Sequence, residues 1–230
     1  MKTKYLQQLL QTGQLDNIKL ALQLAKSQAI DLDLEGYDYL YFWIVDHGFD
    51  LAGGHYAEID TIEKKLYQLY NNYDLDIGSY GIETLPPQLV RLQQLQIITV
   101  RRNKLQELPP VVFDLPNLQI LYIKNNPLKH IPSSISQLNT LKALSFEGCQ
   151  LEIFPKEICQ LTGLEHLNLS YNKIASIPPE IGQLQELSQL KLQQNAITSL
   201  PPALRTLKKM KNLQLDFYKI PREQLKALKQ

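Results

Sequence analysis

"IITVRRNKLQELPP", residues 97–110, places an alternating apolar run directly before Asn103 and a Leu-Pro pair shortly after it. The same frame returns as "LYIKNNPLKHIPS" at 121–133, "LNLSYNKIASIPP" at 167–179 and "LKLQQNAITSLPP" at 190–202. The frame hardly changes between these copies, while the two residues before the asparagine change completely. The constant part predicts the fold, and the variable part marks candidate functional positions.

The frame recurs in steps of 23 residues. We name the residue at the asparagine position the anchor of its coil and number the coils 1 to 7. Apolar rows lie five and three residues before each anchor and two after it, and proline lies six after it in coils 1 to 6. Alternating apolar residues predict a short strand with one buried face, and proline suits the start of a short outer helical segment. The anchors are Tyr80, Asn103, Asn126, Cys149, Asn172, Asn195 and Tyr218.

This pattern, LxxLxLxxNxIxxLPxxIxxL, resembles the leucine-rich repeat family, in the 23-residue form of intracellular scaffold and Ras-adaptor proteins and of bacterial relatives. The resemblance implies an α/β solenoid, a leucine-rich repeat horseshoe with a parallel sheet on its concave face. Strands about 4.8 Å apart make a seven-stranded sheet roughly 30 Å long. Each anchor amide is expected to bond its own turn and the next coil, with Cys149 as a small buried turn residue.

The chain divides into three predicted regions. Residues 1–73 form a helical N-terminal capping region, residues 74–221 form the seven repeats, and residues 222–230 form a C-terminal capping helix. Apolar spacing predicts helices over 3–11, 16–29, 37–47 and 59–73, with a capping box at Asp60 and Glu63. The segment 37–47 is apolar on nearly all sides, which predicts a buried helix. A separate recognition role for the helical region is the alternative to capping.

Charge and cysteine usage narrow the class of protein. The formal net charge is +1, with −4 in residues 1–73 and +5 in residues 74–230, so a nucleic-acid binder is not expected. The run Lys208, Lys209 and Lys211 is expected to be a solvated end. Two cysteines are too few for a disulfide scaffold, and no stretch has the ~20 apolar residues of a membrane span. We expect a cytoplasmic location without membrane contact.

Catalytic motifs are missing from the sequence. The stretch "DHGFDLAGGH", residues 46–55, has neither zinc-ligand spacing nor a phosphate-binding loop, so we expect no metal and no cofactor. The chain is therefore predicted not to be an enzyme. The alternative is an enzyme or a small-ligand-binding protein with its site where the helical region meets the first coils. There His47, Asp50, Asp74 and Asp76 are the candidate residues.

The predicted binding surface is the concave face. Residues six, four and two before each anchor point away from the core, and the residue directly before the anchor follows them. Cations beside an aromatic ring are typical of interface hot spots, although a solvated sheet face remains the alternative. The sequence thus predicts a non-enzymatic protein–protein interaction module, and the family resemblance suggests a small GTPase or another signalling protein as partner. The predicted partner-binding residues are Arg101, Arg102, Tyr122, Lys124, Asn125, Glu147, Asn168, Tyr171 and Lys191.

Overall fold

A computed structural model describes residues 2–32, 34–46 and 61–227 of the chain. Helices come first, a seven-stranded sheet with outer 3-10 helices follows, and a short helix ends the described part. The α-helices are α1 (Lys2–Gln11), α2 (Leu15–Ser27), α3 (Leu34–Asp46), α4 (Ile62–Tyr70) and α5 (Arg222–Ala227).

The sheet is open and entirely parallel, with its strands in sequence order. Neighbouring strands pair residues that are one repeat apart, for example Leu75 with Ile98. The predicted α/β leucine-rich repeat solenoid is therefore confirmed. The strands are β1 (Asp74–Gly78), β2 (Ile97–Arg101), β3 (Ile120–Lys124), β4 (Ala143–Ser145), β5 (His166–Asn168), β6 (Gln189–Lys191) and β7 (Asn212–Gln214).

Short 3-10 helices return the chain on the outer side of each coil. All six begin directly after the row proline, because proline presets φ and needs no hydrogen-bond partner for its nitrogen. They span Pro87–Arg91, Pro110–Asp114, Ser133–Gln137, Lys156–Gln160, Pro179–Gln183 and Pro202–Thr206, and a further 3-10 turn spans Phe217–Lys219.

The core is one continuous apolar cluster that runs from the helices through all seven coils. In β2 the inward residues Ile98 and Val100 are fully buried, and the corresponding rows of the other coils stack on them. One coil cannot bury these rows alone, so the stacking of neighbours stabilises the whole array.

Each asparagine anchor joins two coils through its side-chain amide. The Asn103 Oδ1 accepts the backbone N–H groups of Tyr80 (3.0 Å) and Ile82 (3.1 Å), and its Nδ2 donates to the Ile77 carbonyl (3.1 Å). The prediction that the amide reaches the next coil is wrong. The amide bonds the preceding coil, because the bonded groups lie 21 to 26 residues earlier and thus on the N-terminal side of the turn.

Cys149 is the buried turn residue that the sequence predicts. Its Sγ lies 2.8 Å from the Ile123 carbonyl oxygen, where an asparagine would place its Nδ2 donor. Unlike an asparagine, the thiol offers no amide oxygen to the coil before it. Burial raises the pKa of this thiol to about 12, so it stays protonated at neutral pH.

The predicted buried helix α3 is amphipathic. Tyr37, Leu40, Tyr41 and Ile44 are buried, as the helical spacing of one face requires, while Tyr39 and Phe42 are each 52 % exposed. The prediction of burial on all sides is therefore wrong, because the aromatic residues between the core positions project from the opposite face. In α2, the residues Ile18, Ala21 and Ala25 are buried on one face, while Leu20 is exposed.

Helix α4 is shorter than the predicted 59–73 segment. Of that segment, Ile59 and Asp60 lie outside the described residues, so the predicted capping box is not described. Thr61 occupies the N-cap without a side-chain cap bond. At the other end the helix stops at Tyr70, and Tyr73 has already joined the sheet region. Its carbonyl oxygen accepts the N–H groups of Gln96 (2.9 Å) and Ile97 (3.0 Å).

The helical region packs directly against coil 1. The Gln94 Nε2 donates to the Leu69 carbonyl at the end of α4 (2.7 Å), and the Arg91 guanidinium lies 4.5 Å from the centroid of the Tyr37 ring. Leu75 of β1, which has no strand on its N-terminal side, is fully buried. These contacts fit a capping role for the helices.

Candidate functional site

The concave face presents three rows from each strand, as the alternation of strand side chains dictates. In the row four before the anchors, Tyr122, Ser145, Asn168 and Lys191 are register partners on successive strands. Two residues further on, Arg101 and Lys124 are partners on β2 and β3. The strand pairing therefore makes one continuous surface of the predicted residues in coils 2 to 6.

The residue directly before each anchor, which we name the rim position, has a special backbone. Arg102 (φ 53°), Asn125 (φ 52°) and Tyr171 (φ 57°) all adopt the left-handed region at the end of their strands. All three side chains are exposed. Left-handed backbone costs a residue with a bulky side chain about 1 kcal/mol, whereas glycine and asparagine adopt it readily. Folding alone would thus favour glycine over Arg102 and Tyr171.

Gly148 holds the rim position of coil 4 with φ 67°. A Cβ at this residue would lie 2.3 Å from the Asn125 Oδ1, so the neighbouring rim side chain occupies the space above it. Asn125 therefore leans toward coil 4 across the gap that glycine leaves.

Arg101 is engaged with an acidic neighbour in coil 1. Its Nη2 lies 2.6 Å from the Asp76 Oδ2 and its Nε lies 3.2 Å from the Oδ1, a two-bond arrangement that fixes the guanidinium plane. Both side chains are about half exposed, so the pair adds little stability. Beside it, partial burial and the charge of Asp76 raise the pKa of the Asp74 carboxyl.

Lys124 begins a polar chain across coils 3 to 5. Its Nζ lies 3.7 Å from the Glu147 Oε2 and 5.3 Å from the centroid of the Tyr122 ring. The same Glu147 oxygen accepts the Asn168 Nδ2 at 2.8 Å, and the Asn168 Oδ1 accepts the Ser170 hydroxyl at 2.6 Å. This chain of bonds orients the side chains of the patch before any partner arrives.

Sequence reasoning missed two members of this surface. Asp76, which the sequence offers as a candidate of the alternative site, binds Arg101 directly. Their separation of one coil plus one same-face step, 25 residues, is the signal that would have found the pair. Ser145, at the centre of the patch, is buried, and its Oγ has no hydrogen-bond partner among the described residues.

Two of the four candidate residues of the alternative site at the helical junction lie in the described part of the chain. His47 and Asp50 lie outside the described residues, and Asp74 and Asp76 are exposed on the concave face. Within residues 2–32, 34–46 and 61–227 there is no group of histidine, cysteine, aspartate or glutamate side chains that could hold a metal ion. Across the same ranges, no helix is long and apolar enough to span a bilayer.

The repeats match a family model described as a leucine-rich repeat region, over residues 61–164 and again over residues 129–230. The chain belongs to the leucine-rich repeat family. The fold of this family is in general that of a protein-interaction module, its members bind protein partners, and they are typically non-enzymatic scaffolds. No curated protein is significantly similar to the chain.

Solved structures of bacterial proteins are similar to the chain. A leucine-rich repeat protein of Leptospira interrogans is 29% identical with a TM-score of 0.56, over 72% of this chain and 54% of that protein. The leucine-rich repeat domain of the type III effector XopL is 25% identical with a TM-score of 0.56, over 84% of this chain and 68% of that domain. Internalin C2 of Listeria monocytogenes is 20% identical with a TM-score of 0.53, over 65% of this chain and 75% of that protein, and this similarity shows the fold alone. The chain thus spans about half the length of the Leptospira protein.

Proposed function

We propose that this chain is a non-enzymatic interaction module that binds a partner protein on its concave face and on the adjoining rim. The proposal rests mainly on the conformational free-energy cost of having bulky side chains at the rim position. Arg102 and Tyr171 both sit in left-handed backbone, and Tyr171 in addition exposes 57 % of its surface to water. Left-handed backbone lowers stability at both positions, and an exposed tyrosine ring does not improve solubility, so both side chains are better explained by binding.

The charges of the surface support a partner with both acidic and basic groups. Four cations and four carboxylates occupy the concave rows and the rim, so the surface has no net charge. A surface without net charge does not favour nucleic acid, which needs several uncompensated cations. The cations are Arg101, Arg102, Lys124 and Lys191, and the carboxylates are Asp74, Asp76, Glu147 and Asp216.

The polar chain from Lys124 to Asn168 supports the same function by preorganisation. Side chains that are already held by neighbours lose less conformational entropy when a partner binds. Tyr122, with the Lys124 ammonium over its ring, is the aromatic anchor that such a patch needs. By family resemblance, a small GTPase or another signalling protein is the partner to test first. A reducing location such as the cytoplasm fits two free, buried cysteines.

The test uses rim variants that remove binding groups without endangering the fold. Arg102→Gly/Tyr171→Gly deletes both side chains and relieves the left-handed strain, so its melting temperature should equal or exceed that of the wild type. Ser79→Gly/Gln194→Gly is the matched control, because these residues occupy the rim with φ 57° in coils 1 and 6. Both proteins and the wild type serve as bait in a lysate of the source organism.

We expect a protein that the wild type and the control capture and the Arg102/Tyr171 variant does not. The dissociation constant for that partner should rise at least tenfold in the variant, which corresponds to about 1.4 kcal/mol. A partner that binds the variant and the wild type equally would refute the rim as part of the site.

A further inference from the structure

The flank of the solenoid carries two adjoining open cavities outside the concave face. They lie between the strand ends and the outer 3-10 helices of coils 1 to 4, with volumes of about 560 Å³ and about 350 Å³. Lys129 and His130 line both cavities, so the two form one continuous depression, which we name the flank groove. Its combined size is typical of a site for a ligand or a short chain segment.

The regular backbone hydrogen bonding between coils is interrupted beside the flank groove. In coils 2, 5 and 6 the residue after the anchor donates its N–H to the coil before it, as from Lys104 to the Ile82 carbonyl (2.8 Å). Coil 3 has Pro127 at this position, which has no N–H to donate. The Cys149 carbonyl instead accepts the N–H of Lys129 (3.2 Å), and the ladder between coils is interrupted beside the groove.

Backbone strain is concentrated at the same place. Among the described residues of the repeats, Lys129 (φ 56°) and Gln150 (φ 63°) are the non-glycine residues with left-handed backbone outside the rim position. Glycine would adopt these angles without cost, yet neither position has it. Two strained residues therefore lie where coils 3 and 4 meet, and of the two Lys129 lines the groove while Gln150 does not.

Ile153 exposes an apolar side chain at the mouth of the second cavity. It is 81 % exposed, although the position four after the anchor is polar in every other coil from 1 to 6. Those residues are Thr84, Glu107, His130, Ser176 and Ser199. Removing an isoleucine of this exposure from water is favourable by itself, so the groove offers an apolar partner group a contact point.

The charged side chains of the groove are free to bind. Glu83, Glu107, Lys104 and Lys129 border the first cavity, and Glu152, Glu157 and Lys156 border the second. None of these side chains makes an ion pair or a hydrogen bond within the described part of the chain. Charges elsewhere in the solenoid do pair, as Arg101 does with Asp76 and Lys142 with Glu165.

We propose that the flank groove binds an extended segment of a partner protein, with an apolar side chain seated on Ile153 and neighbouring basic and acidic side chains paired to the glutamates and Lys129. Coil 1 to coil 4 spans three strand spacings, about 14 Å, which four to five extended residues cover. One apolar anchor with charges of both signs is the complement of a short linear segment. This surface is separate from the proposed concave site.

The experiment pans a display library of random 12-residue peptides on the wild-type chain, with counter-selection on Ile153→Asp. Enriched peptides are synthesised with a fluorophore and titrated by anisotropy. Ser176→Asp is the matched control, because it adds the same charge at the same position of coil 5, where the groove does not extend.

We expect enriched peptides with one apolar residue flanked by charged residues. Their dissociation constants should rise at least tenfold with Ile153→Asp and with Lys129→Gly, and stay unchanged with Ser176→Asp. Gln150→Gly relieves the same backbone strain as Lys129→Gly without removing a charge, so its affinity should equal that of the wild type. The rim variant Arg102→Gly/Tyr171→Gly should also bind normally.

Three results would overturn the proposal. The first is a library that yields no peptide, or peptides that bind Ile153→Asp as well as the wild type. The second is equal loss of affinity in the rim variant, which would place the peptide on the concave face. The third is a wild-type dimer by light scattering that Ile153→Asp dissociates, which would make a second copy of the chain the occupant.

Discussion

The side-chain hydrogen bonds of the anchor asparagines are expected to stabilise the fold strongly, and the variant Asn172→Ala tests this. Asn172 is 8 % exposed and makes five hydrogen bonds with its side chain. Its Oδ1 accepts the N–H groups of Cys149 and Leu151, each at 3.0 Å, and its Nδ2 donates to the Phe146 carbonyl at 2.7 Å. These three backbone groups belong to coil 4, so the side chain joins coil 5 to coil 4.

Alanine leaves those three groups of coil 4 buried without partners. Each unsatisfied buried group costs about 1–3 kcal/mol, and water that enters the space recovers part of it. We therefore expect Asn172→Ala to lower the free energy of unfolding by about 3–5 kcal/mol. The control is Asn117→Ala, whose exposed side chain donates one hydrogen bond to the Gln93 carbonyl (2.8 Å), with an expected loss of about 1 kcal/mol or less.

The assay is urea denaturation followed by circular dichroism. The slope of the unfolding free energy against urea concentration must match between variants. A repeat array that loses cooperativity no longer yields a single free energy of unfolding. A loss below about 1.5 kcal/mol, or equal losses for Asn172→Ala and Asn117→Ala, would refute the account of the anchor, since a single ordinary hydrogen bond contributes about that much.

Further predictions concern single groups. Gly148→Ala should lower the melting temperature, at a cost of about 1–3 kcal/mol, because φ is 67° and the new Cβ meets the Asn125 Oδ1; an unchanged melt would contradict this. Burial raises the thiol pKa of both Cys149 and Cys159 to about 12, so a thiol reagent at pH 8 should label neither until the protein unfolds, and fast labelling would show that burial is wrong. Burial and Asp76 raise the pKa of Asp74 above 3.8, so its ionisation destabilises the folded state as pH rises through that pKa; Asp74→Asn should raise the melting temperature at pH 7 and leave it unchanged at pH 3, where a gain at pH 3 as well would exclude titration as the cause.

The sequence alone was sufficient for the repeat architecture, because every coil repeats the same local rule. A strand with one apolar face, a polar turn residue and a proline recur at one spacing, and each element depends on residues close to it in sequence. Helix α3 was less predictable. Apolar and aromatic residues lie on nearly every side of this helix, so their spacing does not show which face meets the core until the neighbouring helices are placed.

The sequence predicts which side chains lie on the concave face and does not predict how they pair. Alternation in a strand decides that Arg101 and Lys124 point to the concave face. Whether a cation there is free or paired depends on a side chain one coil away, since Asp76 meets Arg101 only after β1 and β2 pair. The left-handed backbone of Arg102 and Tyr171 could likewise not be predicted from the sequence, because neither residue type prefers that conformation.

The flank groove shows which features follow from the sequence and which require the folded structure. By itself, the sequence determined the number of coils, their spacing, the buried rows and the odd positions Pro127 and Ile153, because these are local departures from a repeated pattern. Only the tertiary structure decided that these departures, with the unpaired charges of coils 1 to 4, meet on one side of the solenoid. Residues 23 positions apart become neighbours only when coils stack, and the stacking depends on burial of the shared core rather than on any residue of the groove.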